Sequence, residues 1–192
     1  MKAASAVATA AAIARVSLEW WRRRRTSVPI MATRGCPYQC TFCSSPAMWT
    51  TSYYTRDVVD VVDEIEDYVE RYRVANVDFY DLTAIIRREW ILRFCDELQR
   101  RDLRITYQLP TGTRSEALDV ETLRALYRSG CRNIAYSPES GSARTLKRIK
   151  KKLKPERILE SMVQATRAGM VVRANLMIGF PDETRAELWE TL

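Results

Sequence analysis

The sequence predicts an α/β fold, a parallel sheet built from repeated strand–helix units. Three observations carry this. Short runs rich in β-formers alternate five times with amphipathic helices from residue 28 onward, a rhythm that means βα units joined by right-handed crossovers. The helices carry apolar residues on one stripe only, as helices packed against a sheet do. Three cysteines in TRGCPYQCTFCSS, residues 33–45, directly follow the first strand. That is the carboxyl edge, where open sheets and closed barrels alike gather their chemistry. A doubly wound sheet and a barrel both satisfy these observations.

The elements follow in order. VPIMAT is a short strand that ends in the cysteine loop, and TRDVVDVVDEIEDYVERY is a helix. Its Val58, Val61, Val62, Ile65, Val69 and Tyr72 share one stripe opposite the acids. NVDFYD reads as the second strand. The helix RREWILRFCDELQRR then places Trp90, Ile91, Phe94, Cys95 and Leu98 on one face. RITYQLP is a strand that Pro110 is expected to end. Asp119 caps the next helix and Gly130 stops it, after which RNIAYS is the fourth strand. A short helix in ESGSARTLKRIK precedes another opened by Pro155 and closed by Gly169. VVRANLMIGFP is apolar enough to be a strand buried on both faces. Thr184 and Glu187 then form a capping box that opens a last helix. The expected organisation is a lead-in over residues 1–27 and a core domain over 28–192, truncated after its fifth strand.

The 192 residues fit one domain, with an ordinary 46% apolar and 29% charged content. The net charge of +7 is local. Of 31 Lys and Arg, four are Arg22 to Arg25 and six lie in KRIKKKLK, residues 147–154, leaving 21 against 24 acids. Such runs are most often solvated faces, so no nucleic-acid partner is expected. The alanine-rich opening copies a secretory signal only superficially: Arg15 interrupts it well short of the ~20 residues of a membrane span. Five cysteines, three of them bunched, do not form a disulfide framework. A reducing, cytoplasmic setting is expected.

Cys36, Cys40 and Cys43 admit three readings. A structural zinc wants four protein ligands. The chain has no histidine, so Cys95 or Cys131 would have to complete the set, yet both read as buried packing residues. A ferredoxin-type cluster uses a longer cysteine run. An iron–sulfur cluster held by three thiolates leaves one iron open to a small molecule, and an open position marks a catalytic metal. The placement on the functional edge favours this third reading.

CPYQCTFC resembles the C-x3-C-x-aromatic-C signature of the radical S-adenosylmethionine (radical SAM) enzymes, with Phe42 in the aromatic place. The resemblance covers residues 28 to 192. It implies a partial (β/α)6 TIM-like barrel of the radical SAM type. It also implies a 4Fe–4S cluster on Cys36, Cys40 and Cys43, and SAM bound at the open iron. Reductive cleavage of SAM would then give a 5′-deoxyadenosyl radical that removes hydrogen from a small organic substrate. Other SAM contacts carry over by position. Asp81, with Thr83 nearby, stands where the family receives the SAM amine, although the usual glycines are missing. Arg114 in TGTRSEAL would face the SAM carboxylate, as a guanidinium suits a carboxylate. In SPESGS, Glu139 and Ser140 would touch the ribose or methionine part, with Gly141 allowing close approach. In NLMIGFPDET, Gly179 and Pro181 would turn the chain around the adenine, with Asn175 where glycine is common.

TRGCPYQCTFC, PESGS and IGFPDET together are similar to the cobalamin-associated branch, which includes the anaerobic Mg-protoporphyrin monomethyl ester cyclase-like proteins and carbon methylases. The usual cobalt-ligand histidine is absent, so the resemblance implies either cobalamin as a further cofactor of a longer protein or a relative that works without it. The resemblance also implies an electron donor such as flavodoxin or ferredoxin, which the basic run 147–154 could help to dock. Two rivals stand beside this reading. One is an iron–sulfur electron-transfer or metal-binding protein, which would have no need of the SAM motifs. The other is a fragment of such an enzyme that folds without turning over.

Overall fold

The computed structural model describes residues 26–83, 86–114 and 118–192. The expected lead-in therefore lies almost wholly outside the described residues. Five parallel strands, β1 (Ser27–Ile30), β4 (Asn76–Phe79), β5 (Thr106–Thr113), β6 (Cys131–Glu139) and β7 (Val171–Leu176), form one sheet in the order β1-β4-β5-β6-β7. Each neighbour follows the last in sequence, as in an opened barrel rather than a doubly wound sheet. Between the strands run α2 (Val58–Tyr72), α3 (Arg88–Arg100), α4 (Val120–Ser129), α5 (Ala143–Arg148) and α6 (Pro155–Arg167). The last helix is α7 (Arg185–Thr191).

The strands alternate by face. Ile30, Val77, Phe79, Tyr107, Leu109, Ile134 and Tyr136 point to the helices, where they meet Ile65, Ile91, Phe94, Leu98, Leu123 and Leu126 in one core. Phe94 meets Phe79 and Tyr107 edge-on, at centroid distances of 5.4 and 5.6 Å. Cys95 and Cys131 are buried in this layer, packing as expected. Tyr107 is buried there too, and the half-buried Trp90 stacks on Phe94, which places both on the helix side of the sheet. The opposite face is polar. Asp78 there accepts from Ser27, Asn76 and Gln108 at 2.7–2.9 Å.

The caps are where the sequence puts them. Asp119 accepts from the Thr122 N–H, Gly130 adopts φ +119°, and Thr184 and Glu187 bond each other reciprocally. Four expectations need correction. The first strand does not run into the cysteines: β1 ends at Ile30, and β2 (Thr33–Gly35) turns away to pair antiparallel with β3 (Tyr53–Thr55). β5 continues through Pro110, which lies within the register irregularity between Leu109 and Thr113 and so removes no regular ladder bond there. β7 is not buried on both sides. It is the sheet's last strand, and Val171 and Leu176 are 60% and 47% exposed. Tyr72, in the last turn of α2, lies exposed against Tyr68 instead of in the core.

Candidate metal centre

The cysteine loop leaves β2 and returns through a short helix, α1 (Ser45–Trp49), to β3. The two-stranded ribbon closes its base. Gly35 is required there: its φ is +86°, and a Cβ would stand 2.1 Å from the Ser52 carbonyl oxygen. At its tip the Thr41 N–H donates to the Ile149 carbonyl at 3.0 Å, which ties the loop to the end of α5. Within it the Cys43 N–H donates to the Cys40 carbonyl, and the Ser45 N–H donates to the Cys43 sulfur at 3.4 Å.

All three thiols are free. Cys36 and Cys40 are half-buried and Cys43 is exposed. Burial pushes Cys36 and Cys40 up from the ordinary thiol value, while the nearby cations Lys151 and Arg114 oppose that shift. Among the described residues no three His, Cys, Asp or Glu side chains converge on one point, as a single tetrahedral ion would need. A multi-iron cluster, with one iron for each thiolate, asks instead for donors spaced around it.

Asp81, at the end of β4, is wholly buried. Its Oδ1 accepts from the N–H and from the hydroxyl of Thr33 in β2, the latter at 2.5 Å. Its Oδ2 is buried with no partner among the described residues. Burial raises the carboxyl above its usual range against the Thr33 bonds. Tyr53 beside it, pushed up to about 12 by burial, donates to the Thr83 carbonyl. An orphaned carboxylate oxygen suits a cationic donor, the kind of group that the family resemblance implies at Asp81.

Glu139, the last residue of β6, has φ +67°, a left-handed conformation rare outside glycine. Its Oε1 accepts from the Lys151 ammonium at 2.9 Å, and both side chains are about one-tenth exposed. The Lys151 nitrogen is also 6.0 Å from the Phe42 ring, which itself lies 5.8 Å from Phe180 of the IGFP turn. The run 147–154 is therefore not uniformly solvated: Lys147, Lys150, Lys152 and Lys154 are exposed, while Lys151 is drawn inward.

Other expected residues are placed less openly. Arg114 stacks on Tyr38 of the cysteine loop, 3.5 Å from the ring centroid, and donates to the Lys152 carbonyl. The Ser140 hydroxyl is buried against Thr191 of α7 at 2.9 Å, and a Cβ at Gly141 would strike the Glu190 carbonyl oxygen. Both residues thus seat α7 rather than line an open surface. Asn175 donates to Ser137 on the neighbouring strand. Gly179 has φ +86° with open space at its Cβ position, and its N–H donates to the Glu183 carboxylate at 2.6 Å. Pro181 follows in the same turn. Sequence reasoning missed Thr33, Glu183 and the Lys151 partnership. Only Glu183, four residues from Gly179, had a local signal.

Taken together, these residues define a class: an opened α/β barrel with a three-thiol loop and buried acidic and basic groups along one sheet edge. The chain belongs to the radical SAM superfamily, whose family model matches residues 30–192. It is 29% identical over 180 residues to the anaerobic magnesium-protoporphyrin IX monomethyl ester cyclase of Rubrivivax gelatinosus, covering 91% of this chain and 32% of that protein. It is 26% identical over 163 residues to an uncharacterized methyltransferase of Pyrococcus horikoshii, covering 85% and 35%. The radical S-adenosylmethionine methyltransferase TsrM of Kitasatospora setae, solved with cobalamin and a 4Fe–4S cluster bound, shares the fold. Its TM-score is 0.74 at 21% identity, over 89% of this chain and 34% of that one. The chain thus spans about a third of the length of the relatives it matches.

Proposed function

We propose that this chain is the catalytic core of a radical SAM enzyme, with a 4Fe–4S cluster held by Cys36, Cys40 and Cys43. The observation that carries the proposal is the free three-cysteine loop fixed beside Asp81 and Glu139 at the carboxyl edge of the sheet. With cluster and SAM bound, the chemistry supplied is one-electron cleavage of SAM to methionine and a 5′-deoxyadenosyl radical that takes hydrogen from substrate. The chain's own residues hold and orient. The free oxygen of Asp81 accepts from the SAM amine, and Glu139 lies at the methionine or ribose part. Gly179 and Phe180, held by Glu183, form the turn at the adenine. Phe42 and Phe180 bring the cysteine loop and this turn into contact.

The substrate is a small organic molecule received on the polar face of the sheet, where Asp78, Gln108, Asn133, Ser137 and Asn175 lie. An external one-electron donor such as flavodoxin or ferredoxin supplies the electron. A groove of about 650 Å³ between Pro37–Gln39 and Lys147, Lys150 and Lys152 gives an acidic donor a place to dock. In the whole protein cobalamin is a further cofactor, by likeness to the cobalamin-bound neighbour, and the setting is cytoplasmic. Among the described residues no helix is long and apolar enough to cross a membrane.

The test is anaerobic reconstitution with iron and sulfide, then dithionite and SAM, scored by mass spectrometry for 5′-deoxyadenosine. The expected result is product from the wild-type chain and none from the Cys36→Ala/Cys40→Ala/Cys43→Ala variant. A loaded cluster that yields no product overturns the enzyme reading, and binding of zinc in place of iron overturns the cluster.

A further inference from the structure

Lys151 and Glu139 form an ion pair largely withdrawn from water, beside a loop built to carry negative charge. Three thiolates around a cluster leave it anionic, and reduction adds one more negative charge. A cation held close by favours the reduced form, and a nearby carboxylate opposes it. The backbone brings both groups there by design. Lys150 at φ +55° turns the chain so that Lys151 points inward, and the Thr41–Ile149 hydrogen bond holds the cysteine loop two residues from Lys151. Glu139 accepts a left-handed conformation at φ +67° to meet it. Phe42, between Cys40 and Cys43, lies against the Lys151 ammonium.

From this geometry we infer that the Lys151–Glu139 pair sets the reduction potential of the cluster, Lys151 raising it and Glu139 moderating that effect. The inference rests on the cluster reading above. Arg114, a second cation near the cysteines, is anchored on Tyr38 and on the Lys152 carbonyl. Lys151 is a cation whose influence the Glu139 carboxylate trims. Its role is electrostatic positioning and not contact with the reacting atoms.

The experiment is an EPR-monitored redox titration of the anaerobically reconstituted full chain without SAM, comparing wild type, K151M, K151R and E139Q at equal iron content. K151M is expected to shift the potential negative, lowering the reduced-to-oxidised ratio at fixed potential about tenfold, or ~59 mV for one electron. E139Q is expected to shift it positive, and K151R to stay near wild type. Opposite signs are the signature, because loss of a merely structural pair would move both variants the same way. Loaded variants that keep the wild-type potential, or that shift together, overturn this inference while leaving the function proposal standing. A wild-type chain that takes up no iron overturns both.

Discussion

Glu97 on the helical shell and Asp81 on the sheet edge are two well-anchored carboxylates with opposite fates. Glu97 in α3 receives both Arg100 and Arg101 at 2.6–2.8 Å, and Arg101 reaches on to Asp63 and Glu66 of α2. Those bonds, Arg100 first, hold its carboxyl down to about 2. Asp81 receives Thr33 and is raised by its burial. Glu97 is satisfied by its arginines. Asp81 keeps one buried oxygen without a partner among the described residues, as a group awaiting a ligand does.

The largest test of that contrast is Asp81→Asn. If its free oxygen serves a cationic amine, 5′-deoxyadenosine formation should fall roughly 10- to 100-fold, the size of a lost charge-assisted bond. The apo chain should keep its melting temperature or gain, because a buried charge is removed. A variant that unfolds while the loaded wild type is unaffected by added SAM would make Asp81 structural. Next, Gly35→Ala should destabilise the ribbon by roughly 1–3 kcal/mol and reduce iron loading, since both its φ and the Ser52 carbonyl exclude a side chain. Urea titration beside iron analysis reads this out. Unchanged loading would show that the cysteine loop does not depend on its base.

Arg101→Met should lower Tm by roughly 2–4 °C with iron loading intact, because it breaks a mostly surface network far from the cysteines. The smallest effect is in pH, and its two signs differ. Glu97 has a lowered folded pKa, so its contribution is present above the ordinary glutamate value and is lost as pH falls toward about 2. Asp81 has a raised folded pKa, so its contribution is fully present below the ordinary aspartate value and is lost as pH rises through the folded one. Removing Glu97 should flatten the acid limb of the apo stability curve, whereas Asp81→Asn should flatten the decline on the side toward neutral pH. Chemical denaturation across pH 2–8 measures both.

Much of this was legible along the chain. Apolar periodicity placed α2 and α3 and most of the faces they bury, and Asp119, Gly130, Pro155, Gly169 and Thr184 marked the ends of α4, α6 and α7, because caps and stripes are properties of a few neighbouring residues. The spacing of Cys36, Cys40 and Cys43 singled out the loop, and Gly179 its facing turn. What tertiary structure alone decided are the partnerships. Thr33 meets Asp81 across 48 residues, and Ser140 closes on Thr191 across 51. Lys151 leaves its solvated run to bury itself against Glu139, β7 is exposed despite an apolar sequence, and β2 abandons the main sheet for β3. Each depends on which segments lie side by side once the strands pair, and residue type at one position cannot encode which distant group will remain to satisfy it.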